Sequence, residues 1–210
     1  MEISKSFLFI KRMFDIFSSF VFIIFFSWFY LLMIVINLFA TKGSPIYFDK
    51  RVGKNGQVIA VPKFRTMYKN ANKDIRHYLN EKQYNQWINE GKVDNDPRIT
   101  KIGRFLRKTS IDELPQIFSI LIGKLSVVGP RPIILKELET NYTKEEQALL
   151  LSVRPGLISN WGVSGRNLIQ YKDGQRQKLE LAYFENLSVK NDLKLLFKAV
   201  CVVITRKGAQ

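Results

Sequence analysis

IFSSFVFIIFFSWFYLLMIVINLFA, residues 16–40, carries no charged side chain from end to end. As a helix it is about 37 Å long, whereas the hydrocarbon core of a bilayer is roughly 30 Å thick. The segment is therefore expected to be inserted in a membrane. A cleavable signal peptide fits less well, because its apolar region normally holds roughly 7–15 residues and ends in an A-x-A-like site, which is missing here. Polar and basic residues take over near TKGSP, residues 41–45. The chain thus divides into an anchoring helix, residues 1–41, and a polar remainder, residues 42–210.

The charges flanking the apolar run bear on its path. Lys5, Lys11 and Arg12 precede it, while Lys42, Lys50, Arg51 and Lys54 follow. The positive-inside rule wants both flanks in the cytoplasm, and one straight span cannot satisfy that. A re-entrant helix, which enters and leaves on the same face, can do so if its broken backbone finds internal partners. Ser18, Ser19 and Ser27 offer hydroxyls for freed carbonyls, but no proline interrupts the run. Asp15 lies at the membrane boundary beside Lys11 and Arg12, where a carboxylate costs far less than at mid-bilayer.

Composition narrows the classes. With 46% apolar residues in 210, the chain is not disordered and has room for one sizeable domain beside its anchor. A net charge of +15 favours polyanionic partners such as nucleic acid, anionic lipid or phosphorylated metabolites, without choosing among them. One cysteine, Cys201, excludes an internal disulfide, and one histidine, His77, excludes a His/Cys metal cluster. Any metal would be held by oxygen.

Moving outward from the anchor, IYFDKRV and QVIAV flank GKNG, and an Asn55-Gly56 pair between apolar runs is a strong hairpin signal, so a small β-hairpin is expected over residues 46–64. Residues 68–93 place Tyr78, Leu79, Tyr84, Trp87 and Ile88 at helical spacing, consistent with one or two amphipathic helices. Thr100 can cap a helix through KIGRFLRK, with Ile102, Phe105 and Leu106 on one face and Lys101, Arg104, Arg107 and Lys108 largely on another. That basic stripe suits phosphates, a solvated face or a membrane surface. ELPQIFSILIGK then gives a short apolar helix with Pro115 in its first turn and Gly123 at its end. Near the C-terminus, Leu193, Leu196, Phe197, Val200, Cys201 and Ile204 recur at helical intervals opposite Lys190, Lys194 and Lys198, the pattern of a helix lying in the headgroup region. The expected fold class is α+β and helix-rich: a membrane helix, a small hairpin and amphipathic interfacial helices.

RKTSIDELPQ, residues 107–116, puts two adjacent carboxylates between cations and a proline. Ser110 to Glu113 fits the S-x-x-E capping box, a purely structural role. In that register, however, Pro115 removes a helical hydrogen bond. With Asp112 as the cap, Pro115 falls where the N–H lacks a partner anyway. A carboxylate so placed, near Arg104, Arg107 and Lys108, is held ionised and can attack phosphorus, while Glu113, facing elsewhere, can ligate a divalent cation. Elsewhere, Asp94-Asn95-Asp96 has the D-x-D spacing of metal-dependent glycosyltransferases that release a nucleoside diphosphate, a weak motif in a polar loop. A basic membrane-surface adaptor or nucleic-acid binder is the non-enzyme alternative.

KRMFDI at 11–16, RVGKNG at 51–56, KFRTM at 63–67, DPRITKIGRFLRKTSIDELPQ at 96–116, SVVGPRP at 126–132, RPG at 154–156 and GRN at 165–167 occur in order. This set resembles the bacterial sugar transferases that act as monotopic polyprenyl-phosphate phosphoglycosyltransferases, in their small form without an added multi-span region. The resemblance spans nearly the whole chain. It implies a catalytic domain at the cytoplasmic face of the cell's inner membrane that uses a UDP-sugar, polyprenyl (undecaprenyl) phosphate and Mg²⁺ to begin a polysaccharide or glycoconjugate. It also implies that Asp112 is the nucleophile, that Glu113 helps hold the metal, and that Lys63, Arg65, Arg107, Arg131 and Arg166 contact substrate. Nucleic acid is not an implied partner, and a homo-oligomer is compatible with the sequence.

Two departures stand out. Relatives often carry Ser-Pro in the middle of the membrane helix, where this chain has Ser27-Trp28, so the sharp bend lacks its usual breaker. The loop RPGLISNWGVSGRN differs through Ser159 and the placement of Trp161, which bears on sugar or nucleotide selectivity.

Overall fold

A computed structural model describes residues 3–90, 93–164, 171 and 173–205. The apolar run lies within one helix, α1 (Lys5–Thr41), opened by Ser4, whose hydroxyl accepts the Phe7 N–H, and closed by Lys42 in a left-handed conformation. Among the described residues it is the one helix long and apolar enough to cross a membrane. Phe17, Phe20, Phe25, Trp28 and Leu31 are exposed on it. A stripe containing Asp15, Ser19, Tyr30, Met33, Asn37 and Thr41 is buried against the rest of the protein.

Beyond α1 the expected hairpin forms from β1 (Ile46–Val52) and β2 (Val58–Phe64), paired antiparallel with Ile46 opposite Phe64. Asn55 and Gly56 in its loop have φ of 59° and 78°, the left-handed region in which Asn and Gly are most at ease. Helices α2 (Ile75–Tyr78) and α3 (Glu81–Glu90) fill the polar segment. Next come α4 (Lys101–Thr109), a single 3₁₀ turn (Ile111–Glu113), α5 (Gln116–Leu121) and β3 (Ser126–Val128). Then α6 (Leu135–Asn141) and α7 (Lys144–Leu151) lead to β4 (Gly156–Ile158), which pairs in parallel with β3. Helices α8 (Asn160–Val163), α9 (Gln175–Glu185) and α10 (Val189–Thr205) complete the chain. The fold is helix-rich α+β. Its core gathers Val61 and Phe64 of β2, Leu106 of α4, Ile120 of α5, Val128 of β3 and Tyr183 of α9.

Both capping registers weighed for the carboxylate turn need correction, and α4 shows which of its positions turn inward: Gly103 and Leu106 are buried, whereas Phe105 of the apolar face is 56% exposed. Gly103 allows the helix to sit directly on the Thr66 backbone, and that close approach sets which face turns inward. The capping box at Ser110 does not form, because Ser110 is left-handed (φ 58°) and closes α4, and the Glu113 N–H is given to the Ser110 carbonyl. Nor is Asp112 a helix cap: it sits inside the 3₁₀ turn, and Pro115 occupies the position before α5. Pro115 there removes no hydrogen bond the helix needs.

The apolar face of α10 is present as expected and is exposed, with Phe197 at 70% and Ile204 at 75%, whereas Asp192 and Leu195 are buried. Its buried side is fastened to α1 by Lys11, whose ammonium lies 2.6 Å from Asp192, while the Tyr183 hydroxyl donates to the other Asp192 oxygen. Arg12 donates to the carbonyls of Ile120 and Leu121, and Asp15 accepts from the Ser126 hydroxyl and the Val127 N–H. Every one of these anchor charges has a partner, as desolvated charges must.

Candidate active site

The carboxylate pair is placed by the way α4 lies on the end of β2. Thr100 caps α4 by accepting the Gly103 N–H at 2.8 Å, and its own N–H donates to the Thr66 carbonyl at 3.0 Å. One turn further on, the Arg107 Nε donates to the Thr66 hydroxyl at 2.9 Å. Ser110 then reverses the chain, and the turn that follows presents Asp112 and Glu113, both part-exposed, beside β2.

Glu113 Oε1 lies 2.8 Å from Arg131 Nη2 and 3.7 Å from Lys63 Nζ. Burial lowers the pKa of Lys63, an effect that Glu113 and Asp112 oppose and that Arg131 and Arg51 reinforce. Burial also penalises the Arg131 charge, but the charge and hydrogen bond of Glu113, joined by Glu180 and Asp112, outweigh it and hold its pKa above the ordinary value. Partial burial lowers the pKa of Arg107, opposed chiefly by Asp112. Asp112 therefore lies in the field of three cations from three separate elements. Opposite charges so placed favour the charged form of a carboxylate, with no need of a helix dipole.

Arg131 owes its place to the Pro130-Arg131-Pro132 segment between β3 and α6. The Gly129 N–H donates to Ile158, the Gly156 N–H to Pro130, and the Val52 N–H to Ile133, which stitches the segment to β4 and the hairpin. Beneath it lies Glu180, 1% exposed, whose Oε2 accepts the Arg131 backbone N–H at 2.9 Å and whose Oε1 accepts the Ser159 hydroxyl at 3.0 Å. Burial raises the Glu180 pKa, while these hydrogen bonds and the charges of Arg131 and Arg176 oppose the rise. Sequence reasoning missed Glu180. Its signal was a charged residue on the same helical face as Tyr183 and Phe184, a core position that a carboxylate occupies only when it is paired.

Of the predicted site residues, the structure gathers Asp112, Glu113, Lys63, Arg107 and Arg131. Arg65 is not among them. Its Nε donates to the Ser44 carbonyl at 2.6 Å and its guanidinium lies against Tyr47, near the exit of α1, because the strand has ended at Phe64. Arg166 lies outside the described residues. The two carboxylates of the D-x-D motif have different partners: Asp96, 5% exposed, accepts from Nε and Nη2 along one edge of the buried Arg98 guanidinium, whereas Asp94 accepts from the Gln86 side chain of α3. Asp96 serves the structure, which removes the geometric basis for a cation between these two carboxylates.

Among the described residues there is no group of three or more His, Cys, Asp or Glu side chains placed to cage a metal. The donors at the turn are hard carboxylate oxygens, the kind Mg²⁺ takes when one or two carboxylates bind it and substrate phosphates and waters complete the shell. The residues fit such an ion on those terms.

The description of the bacterial sugar transferase family matches residues 6–206. The exopolysaccharide production protein ExoY of Rhizobium meliloti is 37% identical over 95% of this chain and 87% of its own length. The undecaprenyl-phosphate galactose phosphotransferase of Salmonella typhimurium is 40% identical over 96% of this chain. The UDP-glucose:undecaprenyl-phosphate glucose-1-phosphate transferase of Klebsiella pneumoniae is 35% identical over 95% of it. The chain spans 42% and 41% of the length of the latter two. With matches of this extent around an assembled carboxylate and cation site, the chain belongs to the bacterial sugar transferase family.

Proposed function

We propose that the protein moves a sugar 1-phosphate from a UDP-sugar to undecaprenyl phosphate, releasing UMP and initiating polysaccharide assembly at the cytoplasmic face of the inner membrane. The observation that carries this reading is the part-exposed Asp112-Glu113 turn, set among Lys63, Arg107 and Arg131. Phosphoryl transfer requires little beyond positioning and charge neutralisation, and those are the parts present.

An Asp112 oxygen attacks the sugar-linked phosphorus, forming an acyl phosphate as the bond to the UMP oxygen breaks. Arg131 and Lys63 neutralise charge on the oxygens of the transferring phosphoryl group, and Arg107 keeps Asp112 ionised. An oxygen of undecaprenyl phosphate then attacks the same phosphorus, the acyl phosphate bond breaks, and Asp112 returns as a carboxylate. Mg²⁺, when bound, supplies further neutralisation of the diphosphate, and Glu113 with Asp112 would hold it.

The contacts of α1 support a re-entrant anchor. Arg12 and Tyr30 are about 27 Å apart along a straight helix. Their acceptors, the Ile120 and Leu121 carbonyls for Arg12 and the Leu114 carbonyl for Tyr30, lie within about 10 Å on one helical stretch. Helical side chains lean towards the N-terminus, so Arg12 reaches away from Tyr30 and does not close the gap. The lean of Tyr30 towards Arg12 closes only part of it, and a bend between them would close the rest and bring both basic flanks to one side of the bilayer.

Detergent-purified protein supplied with Mg²⁺, undecaprenyl phosphate and a panel of UDP-sugars is expected to release UMP with one or a few donors. UDP release would overturn the proposed reaction in favour of simple glycosyl transfer, and no nucleotide from a broad panel would favour an adaptor. For the anchor, Ile3→Cys and Ser44→Cys in a Cys201→Ser background are both expected to resist impermeant thiol reagents in intact cells and to react after lysis. Labelling at position 3 from outside would establish a span.

A further inference from the structure

We infer that Trp161 and Arg176 are positioning residues for Arg131, acting as a stacked brace that holds its guanidinium at the catalytic turn. This rests on the function proposed above. The Arg131 guanidinium carbon lies 5.2 Å from the centre of the Trp161 ring, and the Arg176 guanidinium carbon lies 4.2 Å from that ring and 4.1 Å from the ring of Tyr171. Indole is the strongest aromatic partner for a cation, and guanidinium is the cation that stacks on it.

Among the described residues Arg176 has only a long ion pair, to Glu137 at 3.9 Å; its side chain is 13% exposed, and its Nε is buried without a hydrogen-bond partner. Its close contacts are therefore with rings, so what it fixes is the position of Trp161.

Trp161 itself stands in α8, whose first turn is set by Ser159. The Ser159 hydroxyl accepts the Gly162 N–H at 3.1 Å and donates to Glu180. Because Glu180 also accepts the Arg131 backbone N–H, one buried carboxylate sets both the main chain of Arg131 and the helix whose indole faces its guanidinium. Arg131 is thus held at its backbone by Glu180, over the indole ring by Trp161, and at its tip by Glu113. A long side chain has several rotamers to lose, and fixing them before substrate arrives is the preorganisation a charge-stabilising group needs.

The test is a double-mutant cycle on UMP formation, read with radiolabelled donor. Trp161→Leu is expected to lower kcat/KM about tenfold, the scale of a part-buried cation–π contact. Trp161→Phe should recover most of that loss, and Arg176→Gln should show a smaller loss of about threefold. In an Arg131→Gln background, Trp161→Leu should cost less than about twofold, because the group it braces is gone. The same cycle on thermal midpoints provides a reading that does not depend on turnover, and there too the two losses should fall short of adding. Equal losses in both backgrounds, or full activity of Trp161→Leu, would overturn the inference. If the proposed reaction is itself wrong, the wild-type protein yields no UMP, an outcome visible before any variant is made.

Discussion

Asp112→Asn is expected to abolish product formation, lowering turnover by at least about a thousandfold, while the protein still fractionates with membranes. The amide is nearly the same size as the carboxylate, so the 3₁₀ turn and its neighbours have no steric reason to move. What disappears is the oxygen proposed to attack phosphorus, and with it one negative charge in the field of Lys63, Arg107 and Arg131. Glu113→Gln should differ in kind. It breaks the charge of the pair with Arg131 and weakens the proposed cation ligand, yet leaves the proposed nucleophile in place, so residual turnover should respond to added Mg²⁺. Incubating wild-type protein with donor but no lipid acceptor, then quenching under conditions that preserve acyl phosphates, should give an intact mass increased by one sugar phosphate. Asp112→Asn should show no increase. Substantial turnover by Asp112→Asn, or product formation by wild type with no adduct at any time point, would remove Asp112 from the role of nucleophile.

The elements that position this site were legible in sequence where local physics decides them. The Asn55-Gly56 hairpin, the Thr100 cap and the short helix after Pro115 follow from turn and capping chemistry, which acts over a few residues. The carboxylate turn was only half legible. The residues were identified, but both capping registers failed, because Ser110 adopts a left-handed conformation to end α4 and no local pattern announces that. Arg65 enters with Lys63 through the KFRTM motif of the family resemblance, and the end of β2 turns it towards the Ser44 carbonyl. Glu180, Trp161 and Arg176 reach the site through long-range packing from α8 and α9, and separations of this kind leave no periodic trace in the chain. Which positions of α4 turn inward was not legible for a related reason, since that depends on a single glycine and what touches it.

That glycine yields the second large expected effect. Gly103→Ala should lower stability by about 2 kcal/mol net and turnover by about a hundredfold. Helix propensity alone predicts the opposite sign, because alanine in a helix interior is favoured over glycine by up to about 1 kcal/mol. Packing decides the matter. A methyl group at position 103 would lie 2.0 Å from the Thr66 carbonyl oxygen and 2.7 Å from its carbonyl carbon, both main-chain atoms. Neither can rotate aside as a side chain can, and overpacking of this kind typically costs about 1–3 kcal/mol or more. The carbonyl it strikes already accepts the Thr100 N–H, and the Thr66 hydroxyl already takes Arg107, so relief requires α4 to move as a body and strain both. Because α4 runs directly into Ser110 and the 3₁₀ turn, that movement carries Asp112 with it. Misplacing a reacting group by about 1 Å can cost about a hundredfold in rate. At about 2–4 °C per kcal/mol for a chain of this size, the thermal midpoint should fall by about 4–8 °C. A midpoint at or above that of the wild type, with turnover intact, would mean that α4 does not rest on Thr66 and that the carboxylate turn is positioned by something else.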